Sequence, residues 1–495
     1  MEAMNLSDLL RASARDKPEK VALVSTADGS RVSFAELDRD ADRVAATLRQ
    51  RGVPAGSRVA IGMHNVVLFP AAYFGILRAG CVVVPVNVML TEAEVAKVLE
   101  DSAAALVFAT PPFAATFEAA AARLGTEVLS TERWSELADP DGAPDAAATE
   151  DDLAVLAYTS GTTGEAKGAM LTHGNLLANL NQQMEIPEAH VTDEDVLFLS
   201  LPLFHIFGLN VTLGLLAMNA ATGVLLDRFE PIGALKTIEA EKVTILFGAP
   251  TMYSAWVNTP GADQYDLSKV RFAVSGAAPL PESTLKAFED LFGVQIFEGY
   301  GLTETAPTLW SNRMLEHPRP GSVGKPLPRV EFRLIDEEGN DVEMGDPGEI
   351  IVRGPNVFKG YWNRPDETER AFFHGWFRTG DVGVLDEEGY LYLVDRKRDL
   401  IIVSGFNVFP SEVEHALLQN PAIAEAAVVG EPHPYTGEAV KAYVVLAGGQ
   451  SATEAELIED VSMRVARFKA PSSIEVVPDL PHLLTGKVLR RALRT

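Results

Sequence analysis

Cysteine is nearly absent: Cys81 stands alone among 495 residues. An intrachain disulfide and a multi-cysteine metal site are therefore excluded, and a reducing compartment is compatible. Basic residues are outnumbered, 42 Lys and Arg against 69 Asp and Glu, for a net charge of −27. Wrapping nucleic acid or lying on anionic lipid rewards clustered Lys and Arg, so this balance argues against both. Long apolar runs are missing too. A membrane-spanning helix needs roughly 18–20 such residues. The run at 211–226 is shorter and holds Thr212, Asn219 and Thr222, and the run at 71–90 is broken by Arg78. Both read as buried core. No basic leader precedes an apolar stretch at the start, so no secretory signal is expected and the expected location is cytoplasmic. There is no internal repeat of 20–50 residues and no low-complexity tract.

What is present is ordinary globular material, 47% hydrophobic and 22% charged. At about 150 residues per domain, the length implies two to four domains. The charge is unevenly spread. From Arg396 to Thr495 there are 11 basic and 12 acidic residues, so the first 395 residues carry −26 of the −27. The tail's basic residues cluster at Arg464, Arg467 and Lys469, and again at Lys487, Arg490, Arg491 and Arg494. A solvated surface explains this; a sharper reading is that the tail meets a polyanion.

Along the first 130 residues, amphipathic helices near 32–52 and 91–101 alternate with the apolar strands VALVS, RVAIGM, CVVVPVN and ALVFA. That alternation predicts a largely parallel sheet covered by helices. The Pro-, Asp- and Gly-rich stretch 138–152 reads as a surface connection ending at the strand LAVLAY. Further strands are expected at VLFLS, TGVLLD, VTILFG, RFAVSG and VQIFEGY, with unusual loops at their carboxyl ends, where open α/β sheets bind ligands. From about 320 the strands become short and turn-rich, which predicts a small β subdomain over about 320–395. From about 399 a compact α+β segment follows, with a capping box expected at Ser411 and Glu414. The fold class is α/β: a large N-terminal domain over 1–396 and a small α+β domain over 397–495.

Four motifs carry chemistry. The first is the run from Tyr158 to Gly168, YTSGTTGEAKG, directly after a strand. Its glycines let backbone N–H groups approach phosphate oxygens, its hydroxyls add donors, and Lys167 supplies charge. Its spacing is not that of the kinase-type P-loop. The second is Glu298-Gly-Tyr-Gly-Leu-Thr-Glu-Thr305. Tyr300 suits stacking on a purine, Thr303 a phosphate and Glu304 a Mg²⁺ ion; alone, the motif also fits a loop with a helix-capping threonine. The third joins Gly375-Trp-Phe-Arg-Thr-Gly-Asp381 to the stretch from Asp395 to Asn407, where an aspartate and an arginine at strand ends suit a ribose, although Asp381 alone also reads as a turn residue. The fourth is Leu484-Thr-Gly-Lys-Val-Leu-Arg490, whose lysine by itself would read as a solvated charge.

In this order, the four motifs resemble the adenylate-forming superfamily of acyl-CoA synthetases, luciferases and peptide-synthetase adenylation domains, over nearly the whole chain. The stretch DRKRDLIIVSGFNVFPSEVE looks most like bacterial fatty-acyl-CoA ligases. The resemblance implies an acid–thiol ligase that uses ATP and Mg²⁺, with CoA as co-substrate. A carboxylate attacks the α-phosphate of ATP to give acyl-AMP and pyrophosphate, and a thiol then takes the acyl group. By similarity, Thr159, Ser160, Gly161, Thr162, Thr163, Gly164 and Lys167 form the loop over the β- and γ-phosphates. Gly276, Ala277 and Ala278, with Gly299, Tyr300 and Gly301, frame the adenine. Thr303 meets the α-phosphate and Glu304 the magnesium, while Asp381 and Arg396 hold the ribose. Lys487 bridges the substrate carboxylate and the α-phosphate. The C-terminal domain of such proteins is mobile, and the hinge position matches Arg398. Gly405, Phe406 and Asn407 fall where the backbone serves thiolation, and His205 falls where a residue lines the acyl pocket; a satisfied core histidine is the alternative. A homodimer is left open, as is a carrier protein in place of CoA.

The segment from Phe204 to Asn210 holds no acid to grip an amine, which disfavours amino-acid activation. Ala255 and Gly299 stand where malonate-type relatives carry arginine, and a second carboxylate would be left buried and unpaired. The expected lining is apolar: Phe207, Leu209, Phe247, Met252, Ala277, Leu302 and Trp310. A monocarboxylic acid with an apolar tail follows, medium- or long-chain fatty acids first, with short-chain and aryl acids still open.

Overall fold

The computed structural model describes residues 5–160, 166–186, 190–314, 319–396, 399, 401–403, 406–433, 437–465, 467–482 and 488–493. Inside these ranges, the side chains of Ser160, Asp395, Arg396, Ile402, Phe406, Asn407, Gly437 and Arg491 are not described. Two compact units emerge: Met1–Glu331 with Arg353–Phe377, and Phe332–Val352 with Arg378–Thr495.

Among the described residues the first unit holds two parallel-rich sheets, as expected for the large domain. Six strands lie in the order Glu127–Ser130, Leu106–Ala109, Arg58–Gly62, Val82–Pro85, Leu153–Ser160 and Ala166–Thr172. All neighbours are parallel except the last pair. In the nine-stranded sheet, Ile296–Gly301, Phe272–Ser275, Ile245–Gly248, Val196–Leu199, Thr222–Leu225 and Val21–Ser25 run parallel through the centre. Antiparallel strands close both of its edges. Val21–Ser25 therefore pairs with the next strand, Arg31–Ser33, on one side and with the distant Thr222–Leu225 on the other.

Local chemistry sets the helix starts. Ser33 with Glu36 and Thr91 with Glu94 form reciprocal capping boxes that open the helices Phe34–Gln50 and Glu92–Ser102. The run at 71–90 becomes the buried helix Leu68–Arg78 and strand Val82–Pro85. Its Arg78 is fully buried because Asp38 and Asp42 both pair with it. The run at 211–226 likewise folds into buried helix and strand. Among the described residues, no helix is long and apolar enough to cross a membrane.

In the second unit, Gly348–Arg353 lies between Glu331–Ile335 and Trp376–Leu385, and Leu391–Arg396 pairs with Trp376–Leu385. A separate sheet runs Phe406–Val408, Ile401–Val403, Gly437–Leu446 and Ile423–His433, with Ser473–Val476 parallel to Gly437–Leu446. Helices Pro410–Leu418 and Glu454–Ser462 bury Val413, Leu417, Leu457 and Val461 against it. The capping box expected at Ser411 is not formed. Phe409 holds the cap position with Pro410 next, so Ser411 already lies inside the helix and donates to the Val394 carbonyl. Glu414 instead receives the Val428 amide at 2.8 Å and pairs with Arg490 at 2.6 Å.

Candidate active site

The first motif is a hairpin. Leu153–Ser160 and Ala166–Thr172 pair antiparallel, with Thr159 opposite Lys167 and Ser160 opposite Ala166. Gly161, Thr162, Thr163 and Gly164 lie outside the described residues. Just after the turn, a Cβ on Gly168 would fall 2.8 Å from Leu156 Cδ1, so a larger residue there would have to displace the buried Leu156 side chain. The outer strand is covered by 359–362. The Met170 amide donates to the Gly360 carbonyl at 2.9 Å, the Lys359 amide to Met170 at 3.0 Å and the Trp362 amide to Gly168 at 2.8 Å.

That covering segment was missed in the sequence. Its signal is the aromatic pair Tyr361-Trp362 followed by a Pro-initiated helix, Pro365–Ala371. It brings Tyr361 between two of the motifs. Lys167 Nζ lies 5.5 Å over the Tyr361 ring and pairs with Glu367. The Tyr361 hydroxyl donates to Glu304 Oε1 at 2.8 Å, and burial together with that carboxylate pushes the phenol's pKa up. Arg364 stands 3.9 Å from Glu367 and 3.4 Å from Asp101, and Asp101 accepts from the Tyr158 hydroxyl at 2.7 Å.

The second motif continues the strand Ile296–Gly301 into a tight turn over Thr303–Thr305. A Cβ on Gly301 would overlap the Pro307 carbonyl, so the turn requires glycine there. Thr303 is half-buried and Glu304 is buried. The Tyr300 ring packs against Trp310, centroids 5.9 Å apart. On the neighbouring parallel strand Phe272–Ser275, Ser275 is in register with Glu298. Gly276, Ala277 and Ala278 leave that strand's carboxyl end. Ala277 sits at φ +72°, and a Cβ on Gly276 would approach Phe207 Cε1 to 2.9 Å. The adenine-framing residues expected from sequence thus gather at adjacent strand ends.

Glu298 is the first motif-two residue and is buried at 6% exposure. Desolvation pushes its carboxyl up to about 7, against the opposing amides of Leu280 and Gly321. The Leu280 amide donates to Oε1 at 3.3 Å, while Oε2 has no protein partner among the described residues.

His205 precedes the π-helical stretch Phe207–Gly214. Burial holds its imidazole down at about 4, so it is neutral near pH 7. The stretch is tied to the turn after Glu304, because Asn210 Nδ2 donates to the Ala306 carbonyl at 2.7 Å. Phe207 meets Phe247 edge-on at 6.3 Å. Of the expected lining, Met252 is packed in the core cluster with Phe198, Tyr253 and Trp256.

In the second unit, Asp381 is buried and lies opposite Arg396 across a strand pair. The Asp381 amide donates to Thr379 Oγ1 at 3.1 Å. The backbone of Phe406 and Asn407 pairs with Val403 and Ile402. Gly405, Arg398 and Lys487 lie outside the described residues. Three of the clustered basic residues have internal partners: Arg464 with Asp460, Lys469 with Glu412, and Arg490 with Glu414 and Asp399. At these three positions the positive charge is therefore balanced within the unit.

Residues 10–362 match the AMP-binding enzyme family, and residues 412–487 match the AMP-binding enzyme C-terminal domain. The chain belongs to the AMP-binding enzyme family. A long-chain-fatty-acid–CoA ligase of Escherichia coli O157:H7 is 36% identical, over 99% of this chain and 94% of that protein. A feruloyl-CoA synthase of Amycolatopsis sp. is 38% identical, over 94% of each. The crystal structure of ATP-bound MatB from Rhodopseudomonas palustris superposes with a TM-score of 0.93 at 35% identity, covering 100% of this chain and 98% of that one. This AMP-binding enzyme is an AMP-forming acyl-CoA synthetase, a ligase. Its donor chemistry also suits Mg²⁺, a hard cation that takes one or two carboxylates plus substrate phosphates. Glu304 offers one buried carboxylate whose orientation the Tyr361 hydroxyl fixes.

Proposed function

We propose that this ligase activates an apolar monocarboxylic acid, a medium- or long-chain fatty acid first, and passes the acyl group to CoA. The observation that carries the reading is Tyr361, which places the lysine of a hydroxyl-rich hairpin and a buried carboxylate on one phenol. A cation for a triphosphate and an oxygen donor for Mg²⁺ then stand side by side. Support for the acid class comes from the long-chain relative, from the apolar Phe207 and Phe247 beside the site, and from an uncharged His205.

In the first half-reaction a carboxylate oxygen bonds to the α-phosphorus, and the bond from that phosphorus to pyrophosphate breaks. In the second, the thiol sulfur bonds to the acyl carbon, AMP leaves, and the thiol proton goes to solvent. Thr159, Ser160, Gly161, Thr162, Thr163, Gly164 and Lys167 hold the β- and γ-phosphates. Gly276, Ala277, Ala278, Gly299, Tyr300 and Gly301 frame the adenine, Asp381 and Arg396 the ribose, and Thr303 the α-phosphate. Glu304 would hold Mg²⁺, which when bound supplies positive charge to the phosphate oxygens. Lys487 meets the charge that grows between carboxylate and phosphorus, and so stabilises the transition state beyond the ground state. No general base is needed, because the carboxylate arrives ionised. His205 borders the acid's entry, and Gly405, Phe406 and Asn407 serve thiolation. The domains 1–396 and 397–495 alternate between the half-reactions about Arg398. The location assigned with this reading is the cytoplasm.

Pyrophosphate release across acids of graded length, with cinnamate, benzoate and malonate, each with and without CoA, tests the reading. A CoA-dependent maximum at one aliphatic length is expected. A maximum at cinnamate would favour the aryl reading that the feruloyl-CoA synthase relative supports. Release that CoA does not accelerate, with acyl-AMP accumulating, would transfer the acceptor role to a carrier protein. Lys487→Ala should lower acyl-AMP formation by about 10²-fold or more; unchanged formation would remove Lys487 from the mechanism.

A further inference from the structure

We infer that Tyr361 and Glu367 are positioning residues that keep Lys167 and Glu304 apart until the nucleotide arrives. The inference rests on the reading above, in which Lys167 meets the triphosphate and Glu304 the Mg²⁺.

The site poses a conflict of charge. It needs an ammonium and a carboxylate close together, and in a partly dry cleft such groups attract strongly. Once paired with each other, they would have to be separated before ATP and Mg²⁺ could bind. Here each group has another partner. The Tyr361 hydroxyl donates to Glu304 Oε1 at 2.8 Å, while the same ring offers its face to Lys167 Nζ at 5.5 Å. Glu367 takes the ammonium's charge, with the Lys167 side chain only 14% exposed. A phenol suits this position because it donates to an anion at one end and attracts a cation on its face.

The arrangement also allows Lys167 to leave. When its ammonium turns to phosphate oxygens, Glu367 still has Arg364 Nε at 3.9 Å. Arg364 is itself held toward Asp101 at 3.4 Å, and Asp101 accepts from Tyr158 at 2.7 Å. The vacated carboxylate is not stranded, so releasing the lysine avoids the cost of a buried unpaired charge. The chain of contacts begins and ends on the hairpin itself, at Tyr158 on one strand and Lys167 on the other.

The test uses the full chain and two readouts besides turnover. First, Lys167 in the nucleotide-free protein is labelled with an amine-acylating reagent and read by mass spectrometry. Glu367→Gln should label several-fold faster than the parent, and Glu367→Asp should restore protection. Second, calorimetry measures ATP binding in Mg²⁺. Tyr361→Phe keeps the ring against Phe358 and removes only the hydroxyl, and it should weaken binding about tenfold. In a Lys167→Gln background the same change should cost less than about twofold, because no ammonium is left to collapse on Glu304. Melting temperatures near the parent's establish that the variants fold. If the parent binds ATP with Mg²⁺ but Glu367→Gln labels at the parent's rate, and Tyr361→Phe weakens binding equally in both backgrounds, the charge-separation role is overturned. A parent that binds no ATP at all overturns the nucleotide reading beneath it.

Discussion

Glu298 and Glu304 belong to one motif, six residues apart, and both are buried, at 6% and 8% exposure. Their surroundings treat them in opposite ways. Glu304 receives a hydroxyl donor at 2.8 Å from Tyr361, beside a lysine that Glu367 already neutralises. Glu298 faces the amides of Leu280, at a long 3.3 Å, and of Gly321, and its Oε2 makes no hydrogen bond among the described residues. Burial alone therefore does not decide whether a carboxylate works as an anion; the donors aimed at it do. In the function proposed above Glu304 would hold Mg²⁺ beside the polyphosphate, whereas burial holds Glu298 toward its neutral form.

The largest test of this contrast is activity. Glu304→Gln should reduce kcat/KM for ATP in Mg²⁺ by about 10²–10³-fold, whereas Glu298→Gln should change it by less than about fivefold at pH 7. Initial rates of pyrophosphate release measure both. A loss at Glu298 as large as that at Glu304 would break the contrast.

The next test is stability against pH. Glu298 is raised from 4.5 to about 7, so between those values the folded state holds a proton that the unfolded state has lost. Stability from this group is full below about 4.5, falls as pH rises through about 7, and then levels off. Glu298→Gln removes that fall, so relative to the parent it should gain on the order of 3 kcal/mol between pH 5 and pH 8. His205 and His173 act in the other direction. Both are lowered from 6.5 to about 4, so their contributions are lost as pH falls through that interval. Urea midpoints at the two pH values read the difference. An unchanged gap between variant and parent would mean that Glu298 is ionised throughout.

Much of this was legible in the sequence. The hairpin motif, the glycine-bearing strand ends at Gly276 and at Gly299–Gly301, and the helices opened by Ser33 and Thr91 all follow from local patterns of glycine, hydroxyl and hydrophobic spacing. The covering segment was not legible. Tyr361 and Glu367 lie roughly 200 residues from Lys167 and about 60 from Glu304, and only the backbone pairing of 359–362 with the hairpin brings them together. The same holds for Val21–Ser25, which joins a strand that lies far along the chain. Ser411 shows the converse error: a local motif fit the capping pattern, but Pro410 had already fixed the helix start, with Phe409 as the cap two residues earlier.

The smallest test asks whether Glu298's isolation is real. Ser275 lies at the same register on the neighbouring strand, and its buried hydroxyl also has no protein partner among the described residues. Replacing such a hydroxyl removes a desolvated group without stranding another, so Ser275→Ala should be neutral or stabilising by up to about 1 kcal/mol. Combined with Glu298→Gln, the two effects should add to within about 0.5 kcal/mol at both pH 5 and pH 8. A coupling above about 1 kcal/mol at pH 5 that disappears at pH 8 would mean that the acid's proton and the hydroxyl are bonded in solution. Glu298 would then differ from Glu304 in the kind of partner it has, a neutral hydroxyl that prefers the protonated acid, instead of in lacking one.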